Sequence, residues 1–190
     1  MPGTAIASAV IAGTTASIHG GTLLNAITKQ SLNAASRSVS IYLSNRSSNI
    51  LINPQVYTYS GNCFEPPQPT LPKGVAEISF GSTSASSSGA VGVMTYDITE
   101  DQRTSLVRLA IMFSVPYNYN NYENWFALGL FDPYQACDES LYDMMYNKDG
   151  TFERGKAVGT EIRFQSGKFT LKGTMSPVAK AEMKVEFWYD

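Results

Sequence analysis

The sequence predicts a mainly β fold, an antiparallel β-sandwich flanked by two short α-helices, in a single domain of 190 residues. Three observations carry that expectation. From Arg37 onward apolar residues recur at every second position in short runs, the period of a half-buried strand. Between the runs stand clusters of Gly, Pro, Ser and Asn, which favour turns, instead of the helical crossovers that parallel strands require. Helical patterning is confined to two stretches, one at the amino terminus and one over Asp138 to Tyr146. The apolar fraction of 43% is enough to fill a sizeable core.

In chain order, Met1 to Ser36 is rich in small residues, and Lys29 is its only full charge. On a helical wheel Ala16, Leu23, Leu24, Ile27, Thr28, Ser31, Ala34 and Ala35 share one half, while Thr22, Asn25, Lys29, Asn33 and Ser36 occupy the other with Leu32. A resting helix docked on the sheet through Leu23, Leu24 and Ile27 is expected. Gly20 and Gly21 each weaken it by about 1 kcal/mol relative to alanine. Strands follow at Val39 to Leu43, Asn49 to Tyr59, Val75 to Phe80, Gly89 to Asp97, Ser105 to Val115 and Trp125 to Phe131. Pro66 to Pro69 and Ser82 to Ser88 read as loops. The helix over Asp138 to Tyr146 offers Leu141, Met144 and Met145 for packing and sets Tyr142 and Tyr146 on one face. Strands at Glu161 to Gln165, Lys168 to Gly173 and Ala181 to Tyr189 complete the sandwich.

Several function classes find no support. A net charge of −2 gives no long-range pull toward nucleic acid or anionic lipid. The single histidine, His19, lies in the glycine-rich amino-terminal segment away from any cysteine, so no Ser/His/Asp or Cys/His arrangement is suggested. Phosphate-cradling glycine motifs and zinc spacings are absent, and no enzyme, cofactor or metal is expected. Cys63 and Cys137 are too far apart for a redox or metal-knuckle motif, and the spacing leaves open whether they are bridged or free. Asn45-Arg46-Ser47 is a formal glycosylation sequon. No apolar run approaches the ~20 residues of a transmembrane helix, and no ordinary secretory signal is visible. The chain is therefore expected to be soluble as made, and either a mature form or exported unconventionally.

The most informative stretch is Phe113-Ser114-Val115-Pro116-Tyr117-Asn118-Tyr119-Asn120-Asn121-Tyr122-Glu123-Asn124-Trp125-Phe126. Six rings are interleaved with proline and asparagine directly after a strongly apolar strand. Aromatic clusters are commonly packed core, but alternating rings with asparagines points to a loop that keeps its rings near water.

This run resembles the signature loop of the actinoporins, the sea-anemone pore-forming cytolysins and their relatives. Ser88-Gly89-Ala90-Val91-Gly92-Val93 resembles the strand before that loop, and Leu141-Tyr142-Asp143-Met144-Met145-Tyr146 resembles the family's tyrosine-bearing helix. The resemblance implies a lipid-headgroup pocket for phosphocholine, with sphingomyelin as the usual family ligand. Its residues here are Ser60, Val91, Ser114, Pro116, Tyr122, Tyr142 and Tyr146. Arg37, Tyr119, Asn121 and Trp125 fall at the implied membrane interface, with Arg37 placed to pair with phosphate. Asn121 stands where the family carries a prominent tryptophan, and Asn147 where it carries a further tyrosine.

The same resemblance implies a secreted protein that is a monomer in solution, a homo-oligomer on the target membrane, and a pore former through its amino-terminal helix. Leu23, Leu24, Ile27 and Lys29 belong to that helix. A helix from Gly13 to Ala35 is about 34 Å long, enough to cross a ~30 Å hydrocarbon core. The alternative is a non-lytic module of lectin-like fold that binds a headgroup or a glycan. No nucleic-acid partner is expected.

Overall fold

The computed structural model describes residues 26, 28–83 and 86–189. Among the described residues eleven strands form two packed sheets, accompanied by two helices. The strands are β1 (Ser38–Asn45), β2 (Ile50–Ser60), β3 (Asn62–Glu65), β4 (Val75–Gly81), β5 (Ala90–Thr99), β6 (Ser105–Val115) and β7 (Trp125–Phe131), then, after the second helix, β8 (Phe152–Lys156), β9 (Ile162–Ser166), β10 (Phe169–Met175) and β11 (Lys180–Tyr189). Helix α1, described over 28–34, precedes β1, and α2 (Glu139–Asn147) precedes β8. One sheet runs β3-β4-β1-β11-β10-β9 and the other β2-β5-β6-β7-β8.

Period-two alternation explains the packing. Val39, Ile41 and Leu43 of β1 are wholly buried and sit between Ile78 and Phe80 of β4 on one side and Ala181, Met183 and Val185 of β11 on the other. From the facing sheet, Met94, Tyr96 and Ile98 of β5 and Leu109, Ile111 and Phe113 of β6 close the core. Each fully buried side chain of this size contributes about 1.5–3 kcal/mol. β5 is buried along its whole length because both of its faces are covered. Its outer face, Val91 and Val93, together with Ala110, Met112 and Ala127, forms a shallow apolar bed on which α2 lays Leu141, Tyr142 and Met145.

Three findings depart from the expectations. β1 and β11 pair in parallel, so one sheet is mixed, and nearly the whole chain serves as the crossover between them. β3 and β8 were not foreseen, because Asn-Cys-Phe-Glu and Phe-Glu-Arg-Gly-Lys carry no alternation; each is an edge strand ordered by its partner, β4 and β7 respectively. In α1, Thr28, Ser31 and Leu32 are half-buried and Ala35 buried, whereas Ala34 is exposed. Leu32 thus belongs to the packed side and Ala34 does not, since the helix lies on polar strand positions, Ser40, Tyr42, Glu77 and Ser79, around a cavity of about 340 Å³. The docking residues Leu23, Leu24 and Ile27 lie outside the described residues. Asn45 is wholly buried, its Nδ2 donating to the carbonyls of Asn49 and Leu71, so the folded chain withholds the sequon from modification.

Both cysteines are free thiols. Pro54 is tolerated inside β2 because β2 is an edge strand and its register slips between Ile52 and Gln55, where Asn53 takes φ +48. Among the described residues no helix is long and apolar enough to cross a membrane.

Candidate functional site

At one end of the sandwich a cleft of about 1000 Å³ opens between the ends of β2, β5 and β6, the loop after β6, and α2. Ser60, Val91, Ser114, Pro116, Tyr122, Tyr142 and Tyr146, distant in sequence, all line it. Strand pairing brings them together: Ser60 lies opposite Val91 on the β2–β5 ladder, and Val91 opposite Ser114 on the β5–β6 ladder. The backbone N–H of Gly89 donates to Ser60 Oγ at 3.0 Å, which leaves the Ser60 hydroxyl proton for another acceptor. Gly61 makes the turn beside it at φ +89; a Cβ there would meet the carbonyl oxygens of Gly89 and Gly81 at 2.5 and 2.6 Å.

Helix α2 supplies the aromatic wall. Asp138 caps it by accepting the Leu141 N–H at 3.0 Å, and the i, i+4 spacing stacks Tyr142 on Tyr146 with centroids 5.6 Å apart and planes 18° apart. A ring that the sequence reading passed over extends the stack: Tyr59 lies 5.0 Å from Tyr142 at 20°. Its signal was present, since a tyrosine at the end of an alternating strand and next to Ser60 has to face either the cleft or solvent. Tyr59 and Tyr122 remain 58% and 55% exposed, too open for rings that serve only as core. Burial, then the neighbouring Tyr146 and Tyr59, push the Tyr142 phenol well above its usual range, so it stays a neutral donor.

The loop after β6 is internally braced. Asn118 accepts the N–H groups of Asn121 and Tyr122 at its carbonyl and that of Asn120 at its side chain. Asn124 is buried, accepts the Tyr119 hydroxyl at 2.8 Å, and donates to the carbonyls of Ser176 and Val178. The asparagines that argued for an exposed loop are therefore in part its internal fasteners.

The four interface residues separate. Arg37 donates through Nε to the Pro116 carbonyl at 3.0 Å and through Nη2 to that of Tyr117 at 2.7 Å, with its guanidinium 4.7 Å from the Tyr119 ring centroid. It stands behind the loop and does not line the cleft. Tyr119 is half-buried against the main core, while Asn121 is exposed on the loop. Trp125 starts β7, half-buried, with Lys156 Nζ 5.7 Å from its ring centroid. Lys29 is exposed on α1, away from the cleft. Asn147, which stands where the family carries a tyrosine, also lines the cleft, as do Ser87, Gly89, Tyr117 and Asn118 and three carboxylates, Asp138, Glu139 and Asp143.

The sequence model of a family described as sea anemone cytotoxic protein matches residues 5–188. The chain belongs to that family. Among its relatives, DELTA-actitoxin-Aas1a of Anthopleura asiatica is 28% identical over 151 residues, covering 77% of this chain and 68% of the toxin. Bryoporin of Physcomitrium patens is 31% identical over 98 residues, and there the match spans 52% of this chain and 53% of bryoporin, about half of each. In fold the chain is similar to the crystal structure of the lipid binding protein Nakanori, with a TM-score of 0.63 at 8% identity over 95% of this chain and 84% of that one. Family membership agrees with the actinoporin resemblance of the three motifs, and the fold similarity agrees with the β-sandwich expectation.

Proposed function

We propose that this chain is a non-enzymatic, pore-forming cytolysin whose tyrosine-lined cleft takes the phosphocholine headgroup of a membrane lipid, sphingomyelin included. The observation that carries the reading is the stack of Tyr59, Tyr142 and Tyr146 in a cleft that also holds Tyr122 and the hydroxyls of Ser60 and Ser114. Ring faces attract a quaternary ammonium, and hydroxyls donate to phosphate oxygens. Membership of a family described as cytotoxic supports the second half of the reading, damage to the target cell. In this reading the protein is secreted as a monomer, is held at the target surface by the cleft, and assembles there with copies of itself. Its amino-terminal segment, residues 1–36, then leaves the sandwich and enters the bilayer as a helix, which satisfies its own backbone hydrogen bonds in hydrocarbon.

Dye release from phosphatidylcholine liposomes, with and without sphingomyelin, tests this. The full chain releases dye. A chain lacking residues 1–36 still floats with the vesicles but releases none. Tyr122→Ala and Tyr146→Ala each lower vesicle retention several-fold, at about 1 kcal/mol per ring lost. Binding without leakage, unaltered by the deletion, overturns the pore and leaves a non-lytic module for a headgroup or a glycan.

A further inference from the structure

We infer that the cavity between α1 and the six-stranded sheet is a second ligand site, that it takes a small basic amino acid, and that its occupant clasps α1 to the sandwich. The clasp, though not the site, rests on the reading that residues 1–36 leave the sandwich at the membrane.

Strand register builds the floor of this cavity. Ser40 on β1 lies opposite Ser79 on β4, and Glu65 on β3 lies opposite the same Ser79, so one polar row crosses three strands. Tyr42 and Glu77, two residues along, form the next row on the same face. Thr28, Lys29 and Leu32 of α1 line the other side, and the enclosed space of about 340 Å³ falls within the range of small-molecule sites, roughly 300–1000 Å³. Ser79 is only 8% exposed and lines the cavity, yet its hydroxyl has no hydrogen-bond partner among the described residues. A buried polar group left so is costly, and a ligand in the cavity relieves it. Lys29, Ser40, Tyr42, Glu65 and Glu77 line the same space, and their side chains too make no hydrogen bond or ion pair among the described residues. Over those residues α1 is bonded to the sheet at its far end, where Lys180 Nζ donates to the Asn33 carbonyl at 2.8 Å.

The charges name the ligand. Two carboxylates stand on the sheet side, Glu65 and Glu77, and one ammonium on the helix side, Lys29. Among the described residues no group of three His, Cys, Asp or Glu side chains could hold a metal ion, so an organic cation is the better match for the two carboxylates. A basic amino acid mirrors the whole lining: its two ammonium groups face Glu65 and Glu77, its carboxylate faces Lys29, and the hydroxyls of Ser40, Tyr42 and Ser79 take up its remaining hydrogen bonds. Bound in this way it joins α1 to β3 and β4 through charge-assisted bonds. Because it has this site only while α1 is docked, it stabilises the docked state by mass action and opposes release of the leading segment.

The test is calorimetric titration of the full chain with free lysine, 1,4-diaminobutane, glucose and acetate, beside dye release from phosphatidylcholine liposomes containing sphingomyelin. Lysine is expected to bind, 1,4-diaminobutane to bind more weakly, and glucose and acetate not at all. Glu65→Gln and Glu77→Gln each weaken lysine by about tenfold, the loss of one charge-assisted hydrogen bond, and Ser79→Ala weakens it several-fold. Lys29→Gln weakens lysine but strengthens 1,4-diaminobutane, which has no carboxylate to lose and whose ammonium is no longer repelled. Glu77 and Lys29 are exposed, so their replacement leaves the fold intact, as circular dichroism verifies. Saturating lysine slows dye release by the full chain, and Glu77→Gln abolishes the slowing. If lysine does not bind, or if all four variants leave its binding unchanged, the site and the clasp are overturned while dye release still reports on the pore. Binding without slowing overturns the clasp and keeps the site. Should the full chain release no dye with or without lysine, the pore reading and the clasp fall, and the titration alone judges the site.

Discussion

Arg37 shows how a single side chain changes meaning once its surroundings are known. From the sequence it is a cation beside a phosphate pocket, whereas in the fold its planar fork bonds three backbone carbonyls and lies over Tyr119. Arg37→Gln removes those charge-assisted bonds, and we expect a loss of about 1.5–3 kcal/mol of stability and faster amide exchange at Asn121 and Tyr122. Unchanged exchange at those amides would rule out bracing by Arg37. Arg37→Lys restores little, because a compact ammonium lacks the fixed fork. A smaller case is Cys63, whose thiol burial, aided by Glu65, pushes up to about 11. At pH 7 it is almost wholly protonated, so alkylation of the native protein should be far slower than that of a free thiol; rapid labelling would contradict its environment.

Helices and strands differ in how plainly the sequence announces them. β1, β6 and β11 were legible because one face of each meets the core, which imposes alternation on residues such as Val39, Ile41 and Leu43. β3 and β8 were not, since their order comes from neighbours distant in the chain. The cleft was legible in its serines and in Tyr122, Tyr142 and Tyr146 through motif resemblance. Tyr59 and the acidic rim were missed because stacking across two elements and the sign of a cavity's charge are properties of assembly. α2 carries two of the three stacked rings, so its cap matters to the cleft as well as to the helix. Asp138→Ala should cost about 0.5–2 kcal/mol, seen as a lowered Tm, together with weaker retention on phosphatidylcholine vesicles. A lowered Tm with unaltered retention would separate the cap from the site.

At the scale of the whole molecule, a buried ion pair on the outer face of the five-stranded sheet links distant segments. Asp97 and Arg108 meet at 2.8 Å, Asn53 donates to the same carboxylate, and Arg108 also donates to the Gln135 carbonyl, tying the segment before α2 to the sheet. Burial raises the Asp97 pKa, but the hydrogen bonds from Arg108 and Asn53 outweigh it and hold the carboxyl below its usual range. Because its folded pKa is depressed, the stability it contributes is fully present above the unfolded value of about 3.9 and is lost as pH falls through the folded value. Urea midpoints followed from pH 7 down to pH 3 should therefore decline toward the acid end. Asp97→Asn should flatten that decline and lower stability at pH 7 by about 3–5 kcal/mol. An Asp97→Asn variant as stable as the parent at pH 7 would show that the pair bears no such role.

The position of β1 between β4 and β11 also has a mechanical meaning. Ser38 to Asn45 is laced on one side to Lys180–Phe187 and on the other to Val75–Gly81, and Ser36 and Arg37 are pinned by the Ser82 hydroxyl just before the lacing begins. Tension applied to residues ahead of Ser36 runs along β1 and loads both ladders in shear, so many bonds resist together instead of yielding one by one. If the leading segment is drawn toward a bilayer, as proposed above, this lacing keeps the sandwich behind it whole, as a cleat holds while the rope is hauled.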